Sequence, residues 1–265
     1  MGLQVRQLSY ALGAEIIGVD IRKPLDDQSF SELHNAFLQY CVILIRGQRL
    51  TQDQHIAFTM RFGKVRPKPT EHLEASEREI NTVNSPVNSA QIWHSDGSMT
   101  LIPTAASLLR GVELPQVGGD TMFANMYLAY EALSEGMKKL IDGLDGVYFG
   151  TKGGRFEERP PAHAHPLVKV HPETRRKSLY IGEKVKQIAG MTAEESKPVL
   201  QFLCDHAARP QFCYRHQWRN DDLLVWDNRC TNHIAVGDYD RTKIRHMERT
   251  NVTGTQSGYV YHDPL

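Results

Sequence analysis

Ile92-Trp93-His94-Ser95-Asp96-Gly97 is the stretch from which the rest of the chain can be read. On an extended segment side chains alternate between faces, so an imidazole and a carboxylate two residues apart point the same way and can grip one ion. Two ligands leave a metal centre unfinished. A third, from far down the chain, would complete a two-His-one-carboxylate facial triad, the ligand set that keeps positions open for oxygen chemistry on non-haem Fe(II). A His-X-Asp tripeptide alone is weak, and a core histidine hydrogen-bonded to Asp96 competes with it. The weight falls on Val225-Trp226-Asp227-Asn228-Arg229-Cys230-Thr231-Asn232-His233, where an apolar run (Leu223 to Trp226) passes through a polar turn to a histidine. Nothing local joins His94 to His233. Only a fold that lays two distant strands together unites them, so the motif speaks of architecture as well as chemistry.

Short β-like runs fit that requirement. Apolar or β-branched density between turn residues predicts strands at Val42–Arg46, Thr104–Leu109, Thr121–Ala124, Val147–Phe149, Leu167–Val170, Leu179–Ile181, Phe212–Tyr214, Leu223–Trp226 and Ile244–Val252. Helices are predicted at Asp27–Tyr40, from Thr51 to Phe62, as a pair within Asn125–Gly143, and from Thr192, whose Thr-Ala-Glu-Glu start is a capping box, to His206. Residues 152–166, rich in Gly, Pro, charge and His, read as a loop insertion and a candidate lid. With no repeat and no domain boundary, residues 1–265 read as one mainly β domain, a sandwich or barrel with helices packed outside it.

Composition narrows the function. Lys plus Arg and Asp plus Glu both number 31, with no basic tail, so nothing points to nucleic acid. The 4 cysteines show no Cys-X-X-Cys pair or disulfide framework. The N-terminus has no signal-peptide core, and the longest apolar run, Cys41 to Ile45, is too short to span a bilayer. A soluble, cytoplasmic protein without a membrane or nucleic-acid partner is expected. Downstream of His233, Arg245 and Arg249 lie four apart on what reads as one strand, and a buried Arg suits bidentate binding of a dicarboxylate. Thr121, in Gly118-Gly119-Asp120-Thr121, offers a hydroxyl to the same carboxylate. Arg66 and Lys68 form a cationic loop after a helix, read either as closing over an anionic substrate or as solvated charge.

Several blocks now add up: Ile45-Arg46-Gly47-Gln48, Leu50-Thr51-Gln52-Asp53-Gln54, Arg61-Phe62-Gly63, Trp93-His94-Ser95-Asp96, Pro115 with Gly118-Gly119-Asp120-Thr121, Ala129-Tyr130-Glu131-Ala132-Leu133, and Trp226-Asp227-Asn228-Arg229 through His233 to Arg245 and Arg249. Together they resemble the taurine / 2,4-dichlorophenoxyacetate dioxygenases, Fe(II)- and 2-oxoglutarate-dependent oxygenases on a distorted double-stranded β-helix, a cupin-like jelly roll. The resemblance implies His94, Asp96 and His233 as iron ligands, and Thr121 with Arg249 on the distal carboxylate of 2-oxoglutarate. It places Arg245 near the cosubstrate's other end or the substrate's anion, and no further catalytic side chain beyond the metal centre. It implies O2 as cosubstrate, succinate and CO2 as products, a small anionic organic substrate, and a homodimer or homotetramer. Asp96 favours hydroxylation over halogenation, whose enzymes replace that carboxylate with a small residue.

The departures bear on substrate. Lys68 stands where the taurine enzymes carry a substrate-binding His, Ala90 where they carry Asn, and Ile45 where the family usually has Phe. An aryloxyalkanoate or related organic acid is therefore expected over taurine, with an alkylsulfonate or sulfate ester as the alternative. From other classes, a metal-dependent hydrolase would use the same triad with bound water, and a non-catalytic sensor would share only the fold.

Overall fold

The computed structural model describes residues 2–67, 80–84, 91–149 and 161–262. Among these, the main sheet has seven strands in the order β1 (Gln4–Gln7), β2 (Ala14–Ile17), β3 (Val42–Ile45), β13 (Leu223–Asp227), β5 (Thr104–Glu113), β15 (His246–Thr253) and β4 (Asn81–Asn84). A three-stranded sheet runs β12 (Cys213–His216), β6 (Thr121–Asn125), β14 (Thr231–Ala235). A four-stranded sheet runs β11 (Val185–Ile188), β7 (Asp145–Tyr148), β8 (Ala162–Pro166), β16 (Tyr259–Tyr261), and β9 (Val168–Val170) pairs with β10 (Lys177–Leu179). Pairing is antiparallel throughout except between β2 and β3. Strands distant in sequence lie side by side, as a jelly roll requires.

The central strands show why the apolar runs are continuous. Ile43 and Ile45 of β3 pack with Leu33 and Phe37 of α1 (Asp27–Tyr40), whereas Val42 and Leu44 face Phe123, Tyr127 and Trp226 on the other side. Antiparallel β13 repeats the division: Leu223 and Val225 meet the helix layer, Leu224 and Trp226 the interior of the roll. A strand covered on both faces loses the alternation of a half-exposed one. The same register delivers Trp226 to the wall of the functional cavity.

Helices fall where capping chemistry predicts. Asp26 caps α1 through the Ser29 amide, and Thr51 with Gln54 forms a capping box on α2 (Gln52–Met60). Asn125 caps α3 (Met126–Glu131), Ser134 caps α4 (Glu135–Ile141), and Thr192 with Glu195 boxes α5 (Ala193–Ala207). The expected 152–166 loop is corrected over its end. Residues 162–166 form β8, hydrogen-bonded to β7 and β16, with Ala164 and His165 buried; residues 152–160 lie outside the described residues. Strand bounds also shift: β5 runs on to Glu113 and β7 begins at Asp145. β10 ends at Leu179, a 3-10 turn (Pro210–Phe212) precedes β12, and β15 begins only after Arg245. No helix among the described residues is long and apolar enough to cross a membrane.

Candidate metal centre

His94 and His233 are joined through their backbones. The His94 amide donates to the His233 carbonyl at 3.1 Å and the His233 amide to the His94 carbonyl at 2.9 Å, an isolated antiparallel bridge. Residues opposed in this way carry their side chains on one face, and the two imidazole centroids stand 4.3 Å apart. Alternation supplies the third group. Ser95 turns away to donate to the Thr231 carbonyl at 2.8 Å, and Asp96 returns to the His94 face. One ligand atom from each of His94, Asp96 and His233 lies within 4.8 Å of the others, and all three residues are buried.

The donor set fits a cation. His94 Nδ1 lies 2.8 Å from the Ile92 carbonyl, which only accepts, so Nδ1 carries the proton and Nε2 presents its lone pair. The Nε2 atoms of both histidines face Asp96 at 3.8 Å, too far for a hydrogen bond, and buried His233 Nδ1 has no partner among the described residues. Burial, and for His233 then the neighbouring His94, pushes both imidazoles below their ordinary value, toward the neutral form a metal needs. Burial alone would raise the Asp96 carboxyl. Arg249, His233, His94 and the Ser107 hydroxyl outweigh it and hold that carboxyl well below the usual range. The outer contacts are specific: Ser107 Oγ meets Asp96 Oδ2 at 2.8 Å, and Asn228 Oδ1 accepts from the Asp96 amide at 3.1 Å and from Trp226 Nε1 at 3.0 Å. Sequence reading missed Ser107 and Asn228 as supports, because nothing in their local spacing marks them.

A cavity of about 200 Å³ opens on the triad, and Thr121, Arg245, Arg249 and Lys184 reach it. The two arginines line it with different partners. Arg249 Nη1 donates to Asp96 Oδ1 at 3.1 Å, at the ligand end. Arg245 is buried, its Nε donating to the Gly119 carbonyl at 3.0 Å, two residues from Thr121, and it forms no ion pair among the described residues. Thr121 Oγ1 accepts from Trp218 Nε1 at 3.0 Å, which leaves its own hydrogen free to donate. Arg66 is not brought to the cavity. It donates to the Ile102 carbonyl at 2.7 Å and to Thr100 Oγ1 at 3.2 Å, fastening the turn that follows Asp96. Lys68 and Ala90 lie outside the described residues. Lys184 was not foreseen; in Gly182-Glu183-Lys184-Val185-Lys186 it looks like any solvated turn lysine.

Residues 4–251 match the family profile described as taurine catabolism dioxygenase TauD, TfdA family. The chain belongs to the TauD/TfdA dioxygenase family. Among its relatives, the (S)-phenoxypropionate/alpha-ketoglutarate-dioxygenase of Sphingobium herbicidovorans is 32% identical over 94% of this chain and 94% of its own. The alkylsulfatase of Acinetobacter baylyi is 33% identical over 89% of this chain and 81% of its own. A solved taurine dioxygenase from Burkholderia xenovorans is 35% identical with a TM-score of 0.87, covering 99% of this chain and 95% of that one. This TauD/TfdA chain is thus a 2-oxoglutarate-dependent dioxygenase that uses Fe(II) and O2 on a jelly-roll fold, and the hydrolase and sensor readings are set aside.

Proposed function

We propose that this TauD/TfdA dioxygenase hydroxylates a small organic anion, an aryloxyalkanoate or related organic acid ahead of a sulfonate or sulfate ester. The observation that carries the reading is charge. Among the described residues the cavity is lined by three cationic side chains, Arg245, Arg249 and Lys184, against the single carboxylate of Asp96. A dianionic cosubstrate and two metal charges leave that surplus unspent, which favours a substrate with its own negative charge. A neutral substrate would leave a desolvated cation unpaired.

His94, Asp96 and His233 hold the metal in this reading. Bound there, Fe(II) and 2-oxoglutarate supply the oxidising power for C–H hydroxylation, with succinate and CO2 released. The side chains position the reactants. We assign the far carboxylate of 2-oxoglutarate to Arg245 and the Thr121 hydroxyl, the reverse of the role first given to Arg249. Among the described residues Arg245 is the buried cation with both terminal amino groups unspent on any ion pair, while Arg249 is engaged with Asp96. Arg249 then guards the metal end, holding Asp96 ionised. Trp226 and Leu109 line the wall and exclude water from the reacting groups. A dimer or tetramer is the setting the resemblance implies, and the composition suggests a cytoplasmic one.

Succinate formation with Fe(II), ascorbate, 2-oxoglutarate and air, across aryloxyalkanoates, alkylsulfonates, sulfate esters and phosphonates, tests the substrate reading. Stimulation above the substrate-free background by the aryloxyalkanoates is expected. Stimulation by sulfate esters alone would select the alternative, and stimulation only by uncharged compounds would refute an anionic substrate.

A further inference from the structure

We propose that Lys184 is a substrate anchor: its ammonium receives the acidic head group of the substrate and makes a negative charge a condition of binding. The inference rests on the oxygenase reading above and adds to it a residue and a specificity rule. Lys184 lines the cavity together with His94, Asp96, His233 and Arg249. The turn that carries it is tied to both ligand-bearing segments. The Glu183 amide donates to the Trp93 carbonyl at 2.9 Å, and Glu183 Oε1 accepts from the Trp93 amide at 3.0 Å. Asn232 Nδ2 donates to the Ile181 carbonyl at 2.8 Å, and the turn closes through Val185 N and the Gly182 carbonyl at 3.0 Å. Trp93 precedes His94 and Asn232 precedes His233, so the turn that carries Lys184 is fastened to the neighbour of each histidine ligand.

Such fixing makes sense for a group that must stand at a set place beside the triad. Yet the side chain itself has no partner: among the described residues Lys184 forms no ion pair and no side-chain hydrogen bond. Lys186, two residues on, is spent on the Glu183 carbonyl and exposed. Burial draws the Lys184 ammonium down, Asp96 draws it back up and Arg249 opposes it again. An ammonium held half-buried without a counter-ion is costly unless a ligand supplies one. Arg245 donates to the Gly119 carbonyl and Arg249 to Asp96, which leaves Lys184 as the cavity cation whose side chain has no protein partner among the described residues. As a compact point charge on a flexible stem it accepts a carboxylate or a sulfate oxygen alike.

The test uses protein loaded with Mn(II) and the 2-oxoglutarate analogue N-oxalylglycine, and reads equilibrium binding of phenoxyacetate against methyl phenoxyacetate, and of pentyl sulfate against pentanol. Wild type is expected to favour each anion over its neutral counterpart; Lys184→Met should shrink that preference about tenfold, and Lys184→Arg should keep most of it. N-oxalylglycine affinity should stay within about twofold of wild type in both variants, which also reports that they fold. An unchanged preference in a Lys184→Met protein that still binds N-oxalylglycine overturns the anchor. So does a wild type with no preference for either anion, and so does a loss of N-oxalylglycine affinity in Lys184→Met, which would transfer the contact to the cosubstrate. Failure of wild type to bind N-oxalylglycine at all would strike the oxygenase reading itself, a different result from any of these.

Discussion

Asp96 is held from more sides than a bare ligand needs: Arg249, Ser107, and through its amide Asn228. Partners of this outer kind orient a ligand, and their removal typically weakens metal binding by about 10- to 100-fold. Ser107→Ala should therefore lower Mn(II) affinity about tenfold, read by titration of the metal-free protein, while Asp96→Ala should abolish specific binding. The arginines are separable by a second titration. Arg245→Met should raise the dissociation constant of N-oxalylglycine about 100-fold, and Arg249→Met should act less on N-oxalylglycine than on the metal. Equal effects of the two would refute the exchanged roles. The meeting of His94, Asp96 and His233 was legible because His94 and Asp96 share one face of an extended segment and His233 follows an apolar run. Ser107, Asn228 and Lys184 were not, since each gains its meaning from a contact across the fold. Arg66 could be read two ways for a related reason: a cationic loop looks the same whether its charge meets a substrate or the bare carbonyls of a turn.

Gly182 shows how an element without a ligand can govern the site. A β-carbon there would stand 2.8 Å from the Trp93 carbonyl oxygen, so the turn and the His94 strand could no longer approach as they do. Gly182→Ala should cost about 1–3 kcal/mol, as overpacking does, and should weaken metal binding although no ligand is changed; thermal melting and Mn(II) titration together check it. Element by element, the helices were the most legible part of the chain, since caps such as Asp26, Thr51 and Thr192 are local chemistry. The buried β3 and β13 were legible from continuous apolar runs. β8, with its Ala-His-Ala-His sequence, was not: small and polar side chains give no apolar period, and only its pairing with β7 and β16 makes it a strand. β14 hid for the same reason, being Thr-Asn-His-Ile-Ala.

The whole molecule carries buried histidines whose titration sets an acid limit. Burial, against the pull of Glu248, lowers His55 to about 4, and burial with the nearby Lys169 lowers His165 to about 4. An unfolded chain protonates its histidines near the ordinary value of about 6.5. The folded state cannot follow until the pH approaches 4, so the unfolded state binds more protons in between and stability falls as pH falls through that window. Asp227, which Arg229 and His171 hold near 2 against burial, acts only at lower pH. Urea midpoints of metal-free protein should therefore drop between pH 6.5 and 4.5, and a flat profile there would contradict the burial of these rings. Metal-loaded protein should lose its extra stability over the same range, because the ligand imidazoles must stay neutral. The bridge between His94 and His233 has a consequence in time as well as in space. Each residue's amide hydrogen is sealed by the other's carbonyl, so a single separation of the two segments exposes both to deuterium and parts the two imidazoles. Their exchange should be correlated, and its rate should set the tempo at which the site can surrender its ion.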